Sequence, residues 1–299
     1  MGDSPLIVLA EPVAQSIILI APERFEQTRD LVVGLTLEYI PSRTWICNCN
    51  TAEKWIKIST GLIEHLWASS LALWLLYSRH LNDRLIDKPT TLVFADDPIV
   101  DEAMKLLGWS VRPNTGAWPE HLPKPIYPPA HDSDNHVATE LMLCAVALLL
   151  HHELAHYRLA HPPTRSGLDS IENERDADRE AARWVLEGAD GAVHEKRLLG
   201  VSIGLSALVG LDIRSTGAAS GTHPRSIDRL IDTLDNHTTS PDHPAWALAS
   251  VLTKVYLDHA GISIPHLEFP STRAICEAIA DTLAERSAEA SRPPVIRER

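Results

Sequence analysis

The sequence predicts an α+β protein that is mostly helical, with a strand-rich N-terminal part. Three observations carry this. Residues 17–20 and 31–40 are apolar and β-branched, and Trp45, Cys47 and Cys49 alternate with other residues as one face of a strand would. From residue 61 onward the apolar runs lengthen and are rich in Leu and Ala, as at 66–77 and 198–211. Residues 137–150 are apolar but for Thr139 and Glu140, the pattern of a helix buried on every side.

Taken in order, the strands expected at 17–20, 31–40 and 45–49 are followed by one at 55–59, paired across the turn Asn50-Thr51-Ala52-Glu53. A Leu- and Trp-rich helix is expected over 61–80, a short strand over 90–94 and a short helix over 100–107. Six prolines at 113, 119, 123, 125, 128 and 129 rule out a regular helix or central strand there. This stretch reads as a connector packed over the core and anchored by Trp118, Ile126 and Tyr127. The expected division is therefore residues 1–112, an N-terminal α+β part; 113–129, the connector; 130–290, a helical catalytic part; and 291–299, a disordered polar tail.

The buried helix ends in His152-Glu153-Leu154-Ala155-His156, an H-E-x-x-H sequence. Residues four apart share a helix face, so His152 and His156 can hold one metal ion. Glu153 lies about 100° round the helix, placed to reach a water rather than the ion. The bland alternative is an amphipathic helix with two exposed histidines. The apolar run before the motif argues against it, since buried imidazoles need partners and a metal supplies them.

A third ligand must come from elsewhere. The long-motif zinc peptidases carry Gly and His three and six residues past the second histidine. Leu159 and Pro162 stand there instead, and His161 is one residue off. Pro162 and Pro163 end the helix. Asp169 or Ser170 can cap the next one, with Glu172 in capping-box position after Asp169. That second helix carries Glu174 and Asp178, four apart on one face. Glu174 is the expected third ligand, and Asp178 the acceptor that fixes a ligand histidine's tautomer. Glu172 and Asp176 are expected on the surface. Gly188 ends this helix, and further helices are expected over 193–209, from Pro224 with Thr222 or His223 as cap, over 243–259 and over 271–288.

Bulk properties narrow the field. The net charge is −13, from 40 acidic and 27 basic residues, which argues against a nucleic-acid binder. Four cysteines in 299 residues make no disulfide framework. No secretory signal is visible, and outside the metal helix no apolar run is long enough to span a bilayer. A cytoplasmic protein is expected, with peripheral contact at the inner membrane left open.

The order H-E-x-x-H, then Glu174-Arg175-Asp176-Ala177-Asp178, then His223-Pro224 through Arg229, resembles the gluzincin peptidases, a zincin-like catalytic part. The Lit-type phage-exclusion peptidases are a closer resemblance. The likeness rests on 62–69, Trp118-Pro119 to Pro125, 137–153, the acidic helix with Arg183-Trp184, and Thr222-His223-Pro224. It implies a dormant intracellular zinc endopeptidase that cuts elongation factor Tu, triggered by a phage capsid segment bound to that factor. It also implies that His223 lies near the site as a candidate oxyanion donor, with helix capping as the equal alternative, and that Arg229 braces the acidic helix through Asp178 or a neighbour. Two rival readings are a zinc peptidase acting on another intracellular protein, such as a phage repressor, and a non-catalytic helical binding module.

Overall fold

A computed structural model describes residues 4–50, 52–81, 97–112, 116–162, 168–214, 223–264 and 268–290. Its centre is α5, Asp134–Arg158, a 25-residue helix. Ser133 caps it, its hydroxyl accepting from His136 N at 3.1 Å. No Gly or Pro interrupts the run. Ala138, Met142, Ala145 and Leu149 are buried on one side and Ala147 and Leu148 on the other, so other helices must cover it all round.

They do. α3 (Thr60–Leu76), α6 (Leu168–Leu186), α7 (Gly191–Arg214) and α1 (Ala10–Leu19) all pack against α5. The α5–α7 approach depends on Gly200, where a Cβ would lie 2.3 Å from Cys144 Cβ and 2.8 Å from Leu141 O. One apolar cluster gathers α1, α3, the sheet, α4 (Pro98–Val111) and one side of α5. A second joins the opposite side of α5 to α6, α7, α8 (Ser226–His237), α9 (Pro244–His259) and α10 (Thr272–Ala290). Of single described helices, α5 alone is long and apolar enough to cross a bilayer, and 72% of its apolar window is buried in the protein.

The sheet has three strands in the order β1-β3-β2. β1 (Thr36–Ile40) runs parallel to β3 (Trp55–Ser59), and β2 (Cys47–Asn50) antiparallel to it, with Cys49 opposite Ile56. Ser59 links sheet and helix: its hydroxyl accepts from Ile46 N at 3.0 Å and caps α3 through Leu62 N at 3.2 Å.

Several expectations need correction. Residues 17–19 are helical, the end of α1, and 31–40 splits into the end of α2 (Phe25–Val32) and β1, parted by Gly34 at φ +76°. Short β-branched runs do not distinguish a strand from a buried helix. Val13 and Ile17, four apart, are both buried, which is the helical period. In the connector Trp118 and Leu122 are buried, but Ile126 and Tyr127 are exposed. Asn135 ties that backbone to α5 through Ile126 N and Lys124 O, turning both side chains outward. α8 begins at Ser226 with Arg225 as its N-cap residue, so neither His223 nor Pro224 sits in its first turn. Asp212 takes the capping role, accepting from Ser226 N at 2.8 Å. The strand expected at 90–94, the cap Thr222 and the tail 291–299 lie outside the described residues.

Candidate metal centre

The C-terminal end of α5 meets the N-terminal half of α6 at one point. His152 Nε2 and His156 Nε2 are 3.3 Å apart. Glu174 Oε2 lies 3.3 Å from His152 Nε2, and Glu174 Oε1 lies 3.4 Å from His156 Nε2. Around a tetrahedral zinc with ligands at about 2.0–2.1 Å, ligand atoms stand about 3.3–3.4 Å apart. The His152–His156 separation matches an edge of that figure, and each histidine Nε2 stands at the same spacing from one of the two Glu174 oxygens.

Hydrogen bonding gives the same answer independently. His152 Nδ1 lies 3.0 Å from Asp178 Oδ1 and can only donate to it, so in the neutral imidazole the lone pair is on Nε2. That lone pair faces a carboxylate. Glu174 Oε2 is buried and has no hydrogen-bond partner. An orphaned buried carboxylate oxygen beside imidazole lone pairs calls for a cation. Among the described residues, His152, His156 and Glu174 form the group whose ligand atoms all lie within 4.8 Å of one another.

Behind the ligands stands a second set of contacts. Arg229, buried on α8, grips both oxygens of Asp178 at 2.6 Å, and its Nη2 lies 3.5 Å from His152 Nδ1. Asp178 thereby holds His152 and is itself held. His223 Nε2 is 3.3 Å from Glu174 Oε1, with its side chain 45% exposed, so it reaches the triad from the solvent side. Glu172 and Asp176 face outward and pair with Arg179. His151 turns away, its Nε2 donating to Ile17 O at 3.0 Å, and stacks on buried Trp184.

The electrostatics follow from this crowding. In the metal-free protein, burial opposes charge on His152, but the Asp178 and Glu174 carboxylates beside it outweigh it and hold its pKa up at about 9, so a proton on Nε2 can stand where a bound ion would. Burial, with His152 beside it, pushes His156 down to about 4. Burial works against the Asp178 carboxylate too, yet Arg229 and His152 keep its pKa well below the ordinary range. Glu153 moves the other way: burial lifts it. A carboxylate with a raised pKa is a better proton acceptor.

The sequence left Cys47 and Cys49 without a role beyond one strand face. In the structure Cys49 Sγ lies 3.5 Å from Glu153 O, so β2 runs directly beside the glutamate. Ser59 N donates to Ile46 O, and in the alternating antiparallel ladder this turns the backbone groups of Asn48 and Asn50 toward β3. Those of Cys47 and Cys49 therefore point to the edge on which no described strand pairs. Tyr157, partly exposed, lines the same depression as Glu153, Cys49 and Trp55. The sequence also missed His161, whose Nδ1 lies 2.9 Å from His156 Nδ1.

Residues 56–249 match the family model for peptidase U49. The chain is 27% identical to the cell death peptidase of Escherichia coli K12 over 274 aligned positions, covering 86% of this chain and 89% of that protein. No solved structure gives a significant match. The matched region takes in β3, the helix with H-E-x-x-H, the acidic helix and Arg229, and the chain belongs to the peptidase U49 family.

Proposed function

We propose that this peptidase is a zinc endopeptidase of the phage-exclusion type, which cuts elongation factor Tu inside the infected cell when a phage capsid segment bound to that factor triggers it. The observation that carries the metal reading is the convergence of His152, His156 and the Glu174 carboxylate, whose ligand atoms all lie within 4.8 Å of one another and whose buried Oε2 has no hydrogen-bond partner. The substrate and trigger are supported by the similarity to a cell death peptidase along most of both chains and by the sequence resemblance described above.

His152, His156 and Glu174 would hold the ion. When bound, zinc would act as a Lewis acid on the scissile carbonyl and acidify a water molecule. The protein's own groups do the rest. Glu153, raised by burial, takes the proton from the attacking water and passes it to the departing amine. His223 stands at the exposed side of Glu174, from where its N–H can meet the oxyanion. The backbone groups of Cys47 and Cys49, on the edge where no described strand pairs, can pair with an extended substrate segment laid beside Glu153.

Glu153→Gln tests this. The purified variant and the parent, each loaded with zinc, would be incubated with elongation factor Tu with and without capsid protein, and new N-termini mapped. The parent is expected to yield one new terminus with capsid present. Glu153→Gln should bind a full equivalent of zinc and cut nothing. Cleavage by that variant would overturn the assignment of Glu153, and an inert parent with intact zinc would overturn the substrate.

A further inference from the structure

α5 ends in a Schellman closure. His161 N donates to His156 O at 3.0 Å and Ala160 N to Tyr157 O at 3.2 Å. Ala160 sits at φ +53°, a left-handed conformation that disfavours any residue but glycine. Such a closure folds the residue after the left-handed one back onto the residue five before it, usually through an apolar contact. Here the contact is imidazole on imidazole: His161 Nδ1 lies 2.9 Å from His156 Nδ1, with the rings 68° apart.

We propose that His161 is a positioning residue for His156, accepting at Nδ1 the hydrogen bond that fixes the tautomer in which His156 presents Nε2 to the ion. The inference rests on the zinc reading above. A neutral imidazole carries one N–H, so a histidine that ligates through Nε2 must carry its proton on Nδ1. That proton needs an acceptor. His152 meets the need with Asp178. At Nδ1 of His156 the partner is His161, which must then be neutral with its own proton on Nε2. The left-handed turn at Ala160 is what brings the two rings together.

The test pairs two variants. His161→Phe keeps a ring and removes the acceptor, while His161→Asn keeps an acceptor where Nδ1 stood. Zinc affinity would be measured by chelator competition, and thermal melting on the metal-free proteins. His161→Phe is expected to weaken zinc binding roughly 10–100-fold. His161→Asn should stay close to the parent, and both should melt with the parent when metal-free. Unchanged affinity in His161→Phe overturns the proposal. Equal losses in both variants overturn it too, since they point to shape or direct ligation. So does a loss matched by a fall in metal-free melting. A parent that binds no zinc refutes the zinc reading itself, a distinct result from a zinc-binding parent with an indifferent His161.

Discussion

Arg229→Met would strand the Asp178 carboxylate inside the protein. Both residues are buried and joined by two charge-assisted hydrogen bonds at 2.6 Å. Removing one partner of a buried pair costs about 3–5 kcal/mol, because the remaining charge is left uncompensated. His152 stays 3.0 Å from Asp178 and compensates in part, so the low end applies: about 3 kcal/mol, on the order of a hundredfold in the folding equilibrium. Urea unfolding of the metal-free protein at neutral pH measures it. Asp178→Asn and the double variant complete a cycle that isolates the pair. The pair's contribution has a defined pH range. Asp178 is held below its ordinary 3.8, so its ionised form favours the folded state at all higher pH, and that stability is lost only as pH falls through the acid range below. A loss under about 1 kcal/mol for Arg229→Met, or a coupling near zero, would refute the claim that this pair holds α6 to α8 behind the metal ligands.

Two predictions concern the scaffold. Gly200→Ala puts a methyl group 2.8 Å from the Leu141 carbonyl and closer still to Cys144; α7 must shift, and thermal melting should show a loss of about 1–3 kcal/mol, whereas an unchanged melt would mean the helices are not in contact there. His65 is fully buried between Ser110 Oγ at 2.9 Å and Tyr256 Oη at 2.7 Å and stacks on Trp45. Burial holds its pKa well below 6.5, so below that pH the unfolded chain binds a proton the folded one refuses, and stability falls as pH falls. His65→Gln should flatten this slope between about pH 6.5 and 5; an unaltered slope assigns it to other groups, His151 first among them.

The parts of the site that were legible in the sequence are those set by helical period. H-E-x-x-H and the Glu174–Asp178 pair each lie four apart on a helix, so each pair had to share a face, and the proline pair between the helices required the chain to turn back. His161 escaped because a Schellman turn obeys no helical period. A signal was present: His161 precedes Pro162, a position disfavoured in helix, so the helix had to close before it. Cys49 escaped for a different reason. The alternation showed two thiols on one strand face, but what that face meets lies 104 residues away. In the first 35 residues, short β-branched runs fit strand and helix alike, and burial against α5 decided for helix.

The charges at the site also bear on which residue is the third ligand. Three carboxylates, Glu153, Glu174 and Asp178, gather around two histidines, and among the described residues Arg229 supplies a permanent positive charge through its contact with Asp178. With both imidazoles neutral, as ligands to an ion must be, the group falls about two positive charges short, which is what one divalent ion supplies. Glu174 and Asp178 contribute equally to that charge but differ in position. Glu174 Oε2 is buried, orphaned and 3.3 Å from His152 Nε2, with Oε1 3.4 Å from His156 Nε2, whereas both Asp178 oxygens are already engaged by Arg229. Glu174→Gln and Asp178→Asn each remove one negative charge with little change in shape, so a purely electrostatic role would make them alike. Direct ligation makes them differ: Glu174→Gln should lose bound zinc on dialysis, while Asp178→Asn should retain it with affinity weakened about 10–100-fold. Metal analysis after dialysis and chelator titration read the two outcomes. A full equivalent of zinc in Glu174→Gln would remove that residue from the ligand set and leave the two histidines in need of a different third partner.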